Sequence, residues 1–190
     1  MKRVIVVLIV FLFVTQIPAQ TLEGFWSIPW KSSISETKMM MEGKGQFTNS
    51  TITNALSYPN IVFAERTGKL SLFFDSDRFY CSNFTIIPIK NNALKEYTNL
   101  KNDLIKKYNK PSKDKEEYLY PYEKGDGHEE TAISGNYTKI DSSWWFDDSN
   151  AIILSLSSED YKISITLSYY CGEIMKERMQ NKSESINKDL

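Results

Sequence analysis

Apolar and polar residues alternate with a two-residue period along much of this chain, and follow a helical period in two places. The segment 161–171 is the clearest strand: Ile163, Ile165, Leu167 and Tyr169 fall on one face, and Lys162, Ser164, Thr166 and Ser168 on the other. Segments 142–146 and 151–157 read as the two strands before it, joined through Asp147-Asp148-Ser149-Asn150. Segment 61–88 reads as three more. The first reaches a turn at Thr67-Gly68, and in the second Leu70, Leu72 and Phe74 alternate with Ser71 and Phe73. Asp75-Ser76-Asp77 makes the next turn. The third strand ends at Pro88, which has no N–H for a ladder. A further short strand is expected over 118–122, inside a polar stretch over 112–140.

The first helix is announced by Ser33-Ile34-Ser35-Glu36, a capping box in which Ser33 accepts an orphan N–H while Glu36 reaches back. Ile34, Thr37, Met40 and Met41 repeat at helical spacing until Gly43 and Gly45. The second helix starts at Asn91 or Asn92 and presents Leu94, Tyr97, Leu100, Leu104, Ile105 and Tyr108 on one face. Asn109 and Pro111 stop it. Helix then three strands, twice over, predicts an α+β fold of two αβββ halves. The expected arrangement is an antiparallel sheet with helices packed on one face and the other face open. A single domain over 20–175 follows, and the polar composition from 176 to 190 predicts a disordered tail.

Charge and composition narrow the function. Lys+Arg 23 against Asp+Glu 24 lacks the cationic surplus a nucleic-acid binder needs. His 1 and Cys 2 cannot furnish a structural zinc site, and no glycine loop cradles phosphate, so neither metal nor cofactor is expected. Lys2 and Arg3 precede an apolar run over 4–14 that leads to Ala19, the pattern of an export signal over residues 1–19. That run is too short for a membrane crossing, which needs ~20 residues. No Cys follows it to take a lipid, and no second long apolar segment exists, so stable membrane insertion is not expected. The expected location is the periplasm or the exterior. There Cys81 and Cys171 are either a disulfide or two buried thiols.

Ser27-Ile28-Pro29-Trp30-Lys31-Ser32-Ser33 before a capped helix resembles the "GIPWGSS" opening of small exported bacterial proteins. Residues 58–64 (YPNIVFA), 71–79 and 104–111 (LIKKYNKP) resemble the same group. Its layout is similar to tandem αβββ modules such as beta-lactamase inhibitor protein, and in part to small outer-membrane assembly lipoproteins. Lys31 and Asn109 stand where relatives often carry Gly. The resemblance implies an exported, non-catalytic protein.

The residues offer little catalytic chemistry. No G-x-S-x-G is present, and His128 lies in the polar Gly125–Glu130 loop, where a solvated ring is the default. The carboxylate pairs Asp75 with Asp77 and Asp147 with Asp148 suit turns better than calcium, because no twelve-residue loop pattern follows either. Glu129-Glu130 reads as a solvated charge run.

The aromatic residues are more informative. With Ile163, Ile165, Leu167 and Cys171 inward, and Cys81 inward with Phe79, alternation sends Tyr80, Ser82, Phe84 and Ile86 outward. It also sends Phe73 and Tyr170 outward, and Trp145 if Trp144 and Phe146 pack in. An open face bearing Phe73, Tyr80, Phe84, Trp145 and Tyr170 suits recognition of a protein or peptide, since rigid rings give contact area at low entropic cost. A glycan or small ligand stacked on Trp145 is the second reading. The alternative is that residues 112–140 or Phe25-Trp26 fold over these rings. If residues 1–19 are an export signal, the mature chain begins at Gln20. Intact mass of the exported protein checks this, and retention of Met1 or an added lipid mass contradicts it.

Overall fold

The computed structural model describes residues 21–49, 53–146 and 149–188. The export signal, Asp147 and Asp148 lie outside them. The elements in chain order are β1 (Gly24–Phe25), β2 (Ile28–Pro29), α1 (Ile34–Met40), β3 (Thr48–Asn49), β4 (Ala55–Phe63), β5 (Arg66–Asp75) and β6 (Arg78–Ile86). Then come α2 (Ala93–Tyr108), β7 (Lys113–Tyr118), α3 (Glu129–Ser134), β8 (Thr138–Trp145), β9 (Ala151–Glu159), β10 (Lys162–Tyr170) and α4 (Gly172–Lys188). Eight strands form one antiparallel sheet in the order β3-β4-β5-β6-β10-β9-β8-β7. The expected α+β class is what the chain builds. Two three-strand meanders meet edge to edge at β6 and β10. The second also carries β7 and α3, so the plain αβββ pair is not reproduced as such.

One face of the sheet is covered by α1, α2 and α3. Met41, Tyr97, Leu100, Leu104 and Ile133 join Leu70, Leu72, Phe84, Leu154, Ile165 and Leu167 in a single buried cluster. The β1–β2 hairpin closes its edge, with the Phe25 ring 5.0 Å from those of Phe63 and Tyr169. The capping box of α1 forms as its spacing predicts, and Asp77 Oδ1 accepts a further bond from the Ile34 N–H at 2.8 Å. Asn92 occupies the N-cap of α2 without a side-chain bond. Instead Glu130 Oε1, from α3, accepts the Ala93 N–H at 2.8 Å. Glu129 likewise accepts the Gly125 N–H, so this pair organises backbone and is not an idle charge run.

Several expected boundaries shift for physical reasons. The first hairpin turns at Ala64 and Glu65, both with positive φ, and not at Thr67-Gly68. Gly68 lies inside β5 because the Phe84 ring and the Thr85 carbonyl leave no room for a Cβ, which would sit 2.5 Å from Thr85 O. The strand expected over 118–122 lies at Lys113–Tyr118, and residues 176–188 continue α4 in place of a disordered tail. Helices also occupy both faces, because α4 lies opposite the other three.

A polar chain ties α2 to β7 and β8. Lys101 Nζ donates to Asp114 at 2.6 Å, and the Ser142 hydroxyl donates to Asp114 at 2.7 Å. The Tyr97 hydroxyl therefore donates to Ser142 Oγ, at 2.8 Å. Burial pushes the Tyr97 phenol well up. Burial also works to raise Asp114, but the bonds from Lys101 and Ser142 outweigh it and hold the carboxyl below its ordinary value. A depressed folded-state pKa contributes stability above the unfolded value and loses it as pH falls through the folded one. Denaturation of Asp114→Asn should therefore differ from wild type by a constant amount above about pH 5, with the gap shrinking below about pH 4. A gap that ignores pH contradicts this.

Candidate functional site

The outer face of the sheet, opposite α1–α3, is ordered by strand register. At one end Ala55 pairs with Phe73, Phe73 with Cys81, Cys81 with Tyr170, Tyr170 with Ala151, and Ala151 with Trp145. Paired residues share a face, so these form one transverse row across β4, β5, β6, β10, β9 and β8. The next row is Ser57, Ser71, Asn83, Ser168, Ile153 and Ser143, and the one after includes Thr85, Thr166 and Ser155. The face is thus a carpet of small hydroxyls with an aromatic row along one end.

Phase is set by a bulge. Phe73 pairs with Cys81 but Phe74 pairs with Phe79, which leaves Tyr80 as an extra residue in β6. Phe79 therefore turns into the core beside Phe74, with ring centroids 5.8 Å apart, while Cys81 turns out. Simple alternation from Cys81 inward inverts this strand. Phe84, expected outside, is 1% exposed and packed under α2, along with Ser82 and Ile86 on the same face. Phe73, Tyr80, Trp145 and Tyr170 do share the outer face.

Neither residues 112–140 nor Phe25-Trp26 cover these rings, since β7, α3 and the β1–β2 hairpin belong to the sheet edge and the other face. The cover is α4. Its Ile174 is fully buried, and Arg178 lies over the Tyr80 ring at 4.8 Å while pairing with Asp75 at 2.6 Å. Glu177 pairs with Arg78 at 2.7 Å and Glu173 with Lys31 at 2.7 Å. The Lys31 ammonium holds the Glu173 carboxyl below its usual range. Trp145 stays outside this cover at 56% exposure. Beside it Ala151, Ile153, Tyr170, Met175 and Met179 line a notch of about 390 Å³, with Ser149 and Lys176 at its polar margin.

The cysteines are both buried and unbonded. Cys81 pairs with Tyr170 on the outer face, and of the two readings of the cysteines the structure has the pair of buried thiols. Burial pushes the Cys81 thiol up to about 12 despite the opposing charge of Arg178. His128 is exposed at the start of α3. Asp77 caps α1 and Asp75 binds Arg178 and Arg78, which accounts for that carboxylate pair as turn and latch chemistry. Among the described residues no group of three or more His, Cys, Asp or Glu is placed to hold a metal ion.

No family model, curated protein or solved structure gives a significant match to this chain. The site therefore stands on its own geometry. Among the described residues no helix is long and apolar enough to cross a membrane. Sequence reasoning missed Met175 and Met179, which sit one helical turn apart in a segment too polar overall to show an apolar face.

Proposed function

We propose that this chain is an exported, non-catalytic binding module that engages a protein or peptide of the cell envelope or the exterior through the outer sheet face around Trp145. The observation that carries this reading is the indole itself. Trp145 is 56% exposed, is held by a backbone bond from its own N–H to Ser112 Oγ at 3.1 Å, and adjoins an apolar notch. A large ring fixed on a strand beside a desolvated hollow is what a binding hot spot requires. Export rests on residues 1–19, and the likeness to tandem αβββ modules such as beta-lactamase inhibitor protein belongs to the same proposal. Its support is the meeting of two three-strand meanders at β6 and β10. The non-catalytic reading is supported by chemistry kept apart. His128 is exposed at the head of α3, and the Cys81 thiol is held protonated by burial on another element.

A second reading has its own observation. The hydroxyl rows next to Trp145 would suit a glycan stacked on the indole, with Ser and Asn side chains meeting sugar hydroxyls.

The test compares wild type with Trp145→Ala, each immobilised and exposed to cell-envelope extract. A retained protein should bind the variant at least about thirtyfold more weakly, equivalent to ~2 kcal/mol. The melting temperature should fall by less than about 3 °C, since the ring is largely exposed. Equal binding by the variant, or a collapse in melting temperature, contradicts the reading. Retention that survives proteolysis of the extract but not periodate oxidation favours the glycan.

A further inference from the structure

The aromatic row is only partly open, and what closes it is weakly attached. Of the side chains described on α4, Ile174 alone is a fully buried hydrophobic. Met175 and Met179 add only partly buried or exposed apolar contact at the notch, and the rest of the grip is electrostatic: Lys31–Glu173, Arg78–Glu177 and Asp75–Arg178, with the Arg178 guanidinium over Tyr80. Lys31–Glu173 is well exposed and the other two pairs are partly so, and salt screens all three. The helix enters directly from β10 through Cys171 and Gly172, whose N–H groups are held by the Tyr80 carbonyl and Asn150 Oδ1, so it is anchored at this end and any release starts from the other. Few buried apolar contacts and exposed ionic ones mark a segment of low local stability. Beneath it lie Tyr80, Cys81 and Tyr170, in register with Phe73 on one side and Trp145 on the other.

We propose that α4 is a displaceable cover that regulates the outer face: when it lifts, the notch that its Met175 and Met179 help to line gives way to the whole open row of Phe73, Tyr80, Tyr170 and Trp145. This rests on the reading of that face as the binding surface, but the opening itself is a property of the chain alone. Cys81 reports it directly. Docked, its thiol is 5% exposed and pushed up to about 12, so at pH 8 it is protonated and shielded. Undocked, it loses the burial that raises it and returns towards the ordinary thiol value of about 8.5. Cys171 borders α4 and lies near the Lys31 ammonium, so the control for global unfolding is the fluorescence of the fully buried Trp144, on the face away from α4.

The experiment is pulse labelling of the full chain with iodoacetamide at pH 8, resolved for each cysteine by peptide mass. Raising NaCl from 20 mM to 1 M should speed Cys81 labelling about tenfold and leave the fluorescence spectrum of the buried Trp144 unchanged, as expected if salt screens the three pairs. The variant Glu177→Gln/Arg178→Gln alters one half-buried and one exposed position of α4 and leaves Ile174 untouched. It should label Cys81 quickly at low salt and respond little to added salt. Cys81 labelling that ignores both salt and the variant overturns the cover. So does a rise at Cys81 that comes with a red shift of the Trp144 fluorescence, which would mean global unfolding. No partner enters this measurement, so its failure speaks against the cover and leaves the Trp145→Ala comparison to judge the face.

Discussion

The pairing of β5 with β6, phased by one extra residue at Tyr80, is the constraint on which the rest of the molecule depends. A bulge normally leaves backbone groups without ladder partners. Here they are used. Phe79 accepts the Lys31 N–H at 2.9 Å and donates to the Ser32 carbonyl at 2.8 Å, while the Tyr80 carbonyl accepts the Cys171 N–H at 2.8 Å. The same irregularity thus anchors the segment leading into α1 and the point where α4 leaves the sheet. It also reverses side-chain parity in β6, so that Phe79, Ser82, Phe84 and Ile86 all serve the helix-covered core.

Consequences for the two faces follow from that parity. The inner face takes nearly all the large side chains of the central strands, and its burial against α1–α3 supplies the folding drive. The outer face is left mostly with Ser, Thr and other polar residues, with Ile153 beside the notch, and rings appear there only in the end row and the bulge. Small hydroxyls keep an uncovered sheet soluble and carry little apolar area of their own. Any binding energy from this face must therefore come from the row that begins at Trp145. The polar α4 laid over the middle of that row is the natural place for control.

Local signals were legible in the sequence, and remote ones were not. The capping box of α1 and the apolar face of α2 involve residues within one or two turns, and both appear where spacing puts them. The turn at Asp75-Ser76-Asp77 is equally local, with Ser76 and Asp77 at φ of 49° and 63°. The bulge at Tyr80 carries no local mark, since a tyrosine in a strand-forming run looks like any other strand residue. From that omission came the misplacement of Phe84 and the inward reading of Cys81. Gly68 signalled a turn but answers to the ring of Phe84, sixteen positions away. α4 stayed hidden because its stabilising partners, Lys31, Asp75 and Arg78, belong to distant elements. Four of the five aromatic residues still reached one face: Phe73, Trp145 and Tyr170 lie on strands outside the inverted stretch, and Tyr80 is turned outward by the bulge itself.

Side-chain proximity at Phe84 tests the central claim, that the extra residue at Tyr80 sets which residues face the core. In a methyl–aromatic NOESY spectrum, the Phe84 ring should show cross-peaks to the methyls of Leu70 and Leu167, its register partners on β5 and β10. Cross-peaks from Phe84 to Tyr170 or to the side chain of Arg178 instead, with none to those leucines, would contradict it.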